Sequence, residues 1–121
     1  INLKLIFDAK SGKIYGAQAV GQDGVEKRID VISTAMQGGL TVEDLAEIEL
    51  CYAPPVGSAK DPVNMAGMAA QNIVDGLVKQ VQWDEVESAR ENGAIVLDVR
   101  NAGEIAKNGH LVNGALEIPL P

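Results

Sequence analysis

The chain has one cysteine, Cys51, and one histidine, His110, among 121 residues. A single cysteine excludes an internal disulfide, and two soft ligands fall short of the three or four groups a metal site takes. Aromatic side chains number four, so small and aliphatic residues must fill the core. Lys and Arg total ten against seventeen Asp and Glu. That net charge of -7 opposes a phosphate backbone, and nucleic acid is not an expected partner. No apolar run approaches the ~20 residues of a membrane span, and no basic-then-apolar leader opens the chain. A cytoplasmic protein without a membrane partner is the expectation. Gly-x-Gly-x-x-Gly, Gly-x-x-x-x-Gly-Lys-Ser/Thr and Cys-x-x-Cys are all missing. Whatever reaction the chain serves, it serves beside groups held elsewhere.

What is present is strong punctuation. Leu3, Leu5 and Phe7 alternate with Lys4 and Ile6 in the manner of a strand, DAKSGK turns the chain, and KIYGAQAVG reads as a second strand. A hairpin is expected. Asp23 is placed to cap a helix carrying Val25, Ile29, Ile32 and Met36, which Gly38-Gly39 stops. Thr41 and Asp44 mark a capping box for a short helix with Leu45 and Ile48 inward, and ELCYA is strand-like. Asp61-Pro62 opens a third helix whose stripe runs through Val63, Ala66, Ala70, Ile73, Leu77 and Val81. Its early turns are slim at Ala66, Gly67, Ala69 and Ala70, which lets another backbone or another subunit approach.

After Gln82 the grammar changes to helix, strand, loop, strand. Asp84 and Glu87 suggest a cap, Asn92-Gly93 a stop, AIVLDVR a buried parallel strand, and Asn113-Gly114 a turn before a last short strand. The division is 1–80 and 81–121, with the boundary near residues 79–82. The first part predicts an α+β domain, an antiparallel sheet with packed helices; the second predicts an α/β segment. Opening inside INLKLIF and closing inside EIPLP, the chain reads as an excised piece of a longer polypeptide.

Chemistry concentrates in CYAPPVGSAKDPVN, residues 51–64. Pro54 and Pro55 fix φ and remove two backbone donors, which stiffens the stretch. Cys51, between Leu50 and Tyr52, is read as a small core residue, since Lys60 is the one nearby cation that could activate it. Tyr52 is either a half-buried ring or a phenol held ready to donate to a developing anion. His110 is read as a turn residue, and Glu43, Asp44, Glu47 and Glu49 as a solvated helix face.

LKLIFDAKSGKIYGAQAVG followed by a helix and by ELCYAPPVGSAKDPVNMAGMAAQNI resembles the C-terminal dimerisation domain of flavin-dependent pyridine nucleotide-disulfide oxidoreductases. More narrowly, YAPP-x-x-S-A-K-D-P-V-N-M-A-G resembles the branch holding coenzyme A-disulfide reductase, NADH oxidase and NADH peroxidase. Residues 81–121 resemble the N-terminal part of a rhodanese domain at Asp98-Val99-Arg100, Glu104, Gly109-His110-Leu111, Gly114-Ala115 and Ile118-Pro119-Leu120.

The resemblance implies a homodimer in which each dimerisation domain completes the other subunit's active site. FAD, NAD(P)H and a redox cysteine would belong to upstream domains, and no cofactor is expected on this piece alone. By matching position, Tyr52 would act in trans beside the partner's flavin and cysteine, with Ala53, Pro54 and Pro55 shaping that wall. Tyr-Ala-Pro-Pro stands where glutathione-type reductases carry His-Pro, which suits a single cysteine and a small thiol partner. The implied activity is reduction of a coenzyme A disulfide, persulfide or polysulfide. The alternatives are an NADH oxidase or peroxidase, or a purely structural dimerisation module. A rhodanese nucleophile would lie in a loop after the strand following EIPLP, and Cys51, outside that segment, cannot replace it. Sulfurtransferase activity is thus expected of the parent alone, and the isolated piece is expected to be inactive.

Overall fold

The computed structural model describes residues 1–55 and 57–120. They fall into two compact units, Ile1–Gln80 and Val81–Pro121.

In the first unit, strands β1 (Asn2–Phe7) and β2 (Ile14–Val20) pair antiparallel. Leu3 faces Ala19 and Leu5 faces Ala17, while Ile6 and Phe7 are matched to Gly16 and Ile14, so the register slips across Tyr15. Such a bulge re-aims a strand without ending it. The Asp8 carboxylate closes the turn by accepting from Lys10 N–H at 2.7 Å and Ser11 N–H at 2.9 Å. The inward set is the alternating one: Leu3, Leu5 and Phe7 are half-buried and pack on the core, whereas Ile6 is exposed.

Helix α1 (Val25–Gln37) lies against β2. Asp23 does not cap it. The N-cap is Gly24, at φ 62°, with no side-chain cap bond, and the Arg28 guanidinium instead donates to Gly24 C=O at 3.0 Å. Helix α2 (Val42–Glu47) begins with the full reciprocal box of Thr41 and Asp44. Helix α3 (Pro62–Val74) begins with Asp61 as N-cap and Asn64 completing its box.

The core consists of Ile14, Ile32, Ala35, Val42, Leu45, Val63 and Ala70. Four of these, Ile32, Val42, Leu45 and Val63, are wholly buried, each worth about 1.5–3 kcal/mol. The slim part of α3 faces α2 of the same chain. A Cβ on Gly67 would sit 2.5 Å from Ala46 N and 2.8 Å from the Leu45 carbonyl carbon. The close approach left open between a backbone and another subunit is therefore intrachain.

Two expectations for this unit are corrected. ELCYA joins no ladder: the described sheet of this unit holds β1 and β2 alone. Its residues keep a strand's alternation even so: Ile48 and Leu50 are half-buried, Glu49 and Cys51 exposed. The α3 stripe stops early, since the helix ends at Val74, Gly76 takes φ 70°, and Leu77 and Val81 lie beyond it and exposed.

The second unit has a 3-10 turn (Trp83–Glu85), α4 (Val86–Glu91), β3 (Leu97–Asp98), α5 (Ala102–Asn108) and β4 (Leu116–Glu117). The cap falls at Gln82 and Glu85, not at Asp84 and Glu87; Glu87 instead pairs with Arg90 at 3.1 Å. β3 and β4 pair in parallel as expected, but AIVLDVR is not buried. Ile95, Leu97 and Val99 stay exposed, because nothing among the described residues of this unit covers them. The connection expected as a loop contains α5, started by a box between Asn101 and Glu104. No described helix is long and apolar enough to cross a membrane.

Candidate functional site

The stretch from Ile48 to Asp61 leaves α2 and enters α3, and its two ends are tied down by buried polar groups. At the exit, the Asn64 amide donates to Leu45 C=O at 3.1 Å and to Ile48 C=O at 2.9 Å. The last carbonyls of a helix have no partner in their own ladder, and here a side chain of α3 supplies one. At the entrance, Asp61 N–H donates to Asn64 Oδ1 at 3.3 Å, and Val63 N–H donates to Asp61 Oδ1 at 3.0 Å. From α1, Arg28 donates to both Asp61 oxygens, at 2.8 and 3.3 Å. Burial of Asp61 opposes its charge, but the Val63 N–H and the Arg28 guanidinium outweigh it and lower its pKa. A buried pair of this kind survives through added hydrogen bonds, and loses most when one partner is removed.

Between these anchors the described residues from Cys51 to Lys60 are exposed. Gly57 N–H donates to Ala53 C=O at 3.1 Å, which folds Pro54 and Pro55 into a turn. Tyr52 is 55% exposed, and its hydroxyl has no hydrogen bond to another described side chain or backbone group. Cys51 is exposed as well, which overturns its reading as a core residue. Leu50 takes the inward position of the alternation, and Cys51 is turned out by it. A groove of about 330 Å³ runs along this stretch, lined among others by Cys51, Tyr52, Ser58, Lys60, Asn64 and Met68.

Tyr52, Ala53, Pro54 and Pro55 are thus brought together on one exposed loop. They form a wall and not a container: no described loop offers a glycine-rich cradle for a dinucleotide, and an FAD would have to be enclosed mainly by other protein. No described cluster of His, Cys, Asp or Glu is suited to a metal ion. The residues missed in the sequence are Arg28 and Asn64. Asn64 had a signal, being three residues after the Asp61 cap; Arg28 had none, since 33 residues separate it from Asp61.

In the second unit, Asp98 and Arg100 form a two-pronged pair, the shortest contact being 2.7 Å, and Arg100 also donates to Gly109 C=O at 3.1 Å. The hydrogen bonds from Arg100 hold the Asp98 pKa down to about 2. His110 Nδ1 lies 3.0 Å from Glu117 on β4, at the surface. These contacts pin the end of β3 to the turn after α5, a structural use of both motifs.

The family model for the pyridine nucleotide-disulphide oxidoreductase dimerisation domain matches residues 1–62. Similar curated proteins include coenzyme A disulfide reductase of Staphylococcus haemolyticus, 45% identical over 60% of this chain and 17% of the relative. The enzyme of the same name from Staphylococcus aureus is 46% identical over 59% of this chain and 16% of the relative. Among solved structures, reduced Bacillus anthracis CoADR-RHD is 56% identical with a TM-score of 0.88, covering 97% of this chain and 21% of that one. A NAD-dependent persulfide reductase from A. fulgidus is 39% identical with a TM-score of 0.79, covering 97% and 20%. The chain therefore spans about a fifth or less of the proteins it matches. Both structural likenesses run through the second unit. With the family model covering more than half of its residues, the chain belongs to the dimerisation domains of the pyridine nucleotide-disulphide oxidoreductases.

Proposed function

We propose that the chain is the dimerising and active-site-completing part of an FAD-dependent NAD(P)H oxidoreductase that reduces a coenzyme A disulfide, persulfide or polysulfide. In this reading residues 1–80 are the dimerisation domain and 81–121 the incomplete N-terminal part of a rhodanese-like domain. The observation that carries it is the exposed Tyr52 phenol on a proline-stiffened loop anchored at both ends, in a chain similar to coenzyme A disulfide reductases.

The overall reaction takes one NAD(P)H and one proton per S–S bond, giving two thiols from a disulfide, or a thiol and hydrogen sulfide from a persulfide. FAD, bound in the parent, supplies the electron transfer. This chain supplies the polar wall. When the S–S bond breaks, one sulfur leaves as a thiolate, and the Tyr52 O–H donates a hydrogen bond or its proton to that anion. With no hydrogen-bond partner among the described residues, the phenol has its donor available for this. Ala53, Pro54 and Pro55 present it with little backbone freedom to lose. They serve the partner subunit's site in a homodimer, where the apolar groove between α1 and Ile48–Leu50, of about 750 Å³, offers a surface for association.

Tyr52→Phe in the full-length reductase tests the assignment. A fall of roughly a hundredfold in kcat/KM, the size of one lost donor to a developing anion, is expected. Unchanged turnover of the coenzyme A disulfide removes Tyr52 from the mechanism and leaves the loop a structural element of a dimerisation module. Faster turnover of oxygen or peroxide than of every sulfur substrate would assign the parent to the oxidase and peroxidase branch.

A further inference from the structure

We propose that Asn64 and Arg28 are positioning residues for Tyr52, together clamping the loop that carries it; this rests on the reading of Tyr52 given above. Asn64 touches both ends of the loop at once. Its amide holds Ile48 C=O at 2.9 Å where the chain leaves α2, and its oxygen receives Asp61 N–H at 3.3 Å where the chain enters α3. Arg28 then fixes Asp61 to α1, and is itself braced by Gly24 C=O at 3.0 Å. Asn64 and Asp61 are buried, at 9% and 6% exposure, whereas the described residues they bracket from Cys51 to Lys60 are all exposed.

An exposed loop gains little rigidity from packing, so its placement depends on the proline pair and on its ends. Proline stiffness sets the shape of the loop but not its position on the domain. Position comes from the three hydrogen bonds of Asn64 and the two from Arg28 to Asp61. Asn64→Leu keeps the forked shape of the side chain, with bulkier methyl ends, and removes all three bonds, leaving the Leu45 and Ile48 carbonyls without their partner.

In the full-length reductase, Asn64→Leu lowers kcat roughly tenfold or more, as displacement of a reacting group by about 1 Å does, with KM for NAD(P)H unchanged. Because it acts through Tyr52, it adds little to Tyr52→Phe: the double variant lies within about twofold of the phenylalanine variant. Losses that multiply in the double variant overturn the clamp, since a generally loosened fold lowers activity whatever stands at position 52. Arg28→Lys keeps a positive charge opposite Asp61 and serves as the milder variant, with the same non-additive signature.

A second readout needs no turnover. The 121-residue chain has two tyrosines, so fluorotyrosine labelling gives two fluorine resonances, with Tyr15 on β2 as the internal reference. Asn64→Leu should sharpen the Tyr52 line and leave Tyr15 unmoved. An unchanged Tyr52 line overturns the clamp. If Tyr52→Phe proves silent in turnover, the catalytic reading of Tyr52 fails by itself, and the fluorine spectrum alone decides the clamp.

Discussion

Gly67→Ala is the sharpest test of how the first unit is packed. Inside a helix this change is usually favourable by about 1 kcal/mol, because glycine has more backbone freedom to lose. Here the added methyl would lie 2.5 Å from Ala46 N, 2.8 Å from Leu45 C and 2.9 Å from Val42 O. All three are backbone atoms of α2 and its start, so no side chain can rotate away; the two helices must separate. Overpacking of a core costs about 1–3 kcal/mol, and a backbone collision belongs at the upper end. Setting about 3 against the gain of about 1 leaves a net loss of roughly 2 kcal/mol. At 4–8 °C per kcal/mol for a unit of this size, the melting temperature falls by roughly 8–16 °C. Thermal unfolding followed by circular dichroism measures it. Ala69→Gly, at an exposed position of the same helix, is the control and should lose about 1 kcal/mol through propensity alone. A Gly67→Ala variant as stable as the parent, or more so, refutes backbone-to-backbone packing of α2 on α3.

Cys51 should react fully with a neutral aromatic disulfide in native buffer, one thiol per chain, because it is exposed; reaction only on adding denaturant would return it to the core. Thr41→Ala removes half of the α2 capping box and should cost about 1 kcal/mol in denaturant unfolding; no change in midpoint would mean that Asp44 carries the cap alone. Asp98 should titrate by carboxyl NMR with a midpoint of about 2, well below the ordinary 3.8. Its folded pKa is depressed, so its contribution to stability is complete above pH 3.8 and fades as pH falls through about 2. Arg100→Gln should return that midpoint toward the ordinary value, and a midpoint that stays low would assign the shift to another group.

The features legible in the amino-acid order alone were local ones. Alternation wrote the β1–β2 hairpin, because a strand's two faces are decided residue by residue. Thr41 with Asp44, and Asp61 with Pro62, wrote the starts of α2 and α3, because a cap is completed within four residues. The long YAPP…SAKDPVNMAG motif carried the family. Tertiary structure decided what depends on distant neighbours. ELCYA has a strand's pattern, but a strand is made by pairing with another chain segment, and among the described residues ELCYA pairs with none. Cys51 looked apolar in its local setting and is turned outward because Leu50 occupies the inward place. The stripe of α3 continued on paper past Val74, yet Gly76 turns the chain and Leu77 and Val81 lie exposed beyond it. Most of all, the loop bearing Tyr52 owes its stiffness to two adjacent prolines, and its placement to Asn64 and to Arg28, whose ion-pair partner Asp61 lies 33 residues away. Stiffness is a property of neighbouring peptide bonds; placement is set by the groups that the folded chain brings to the loop's two ends.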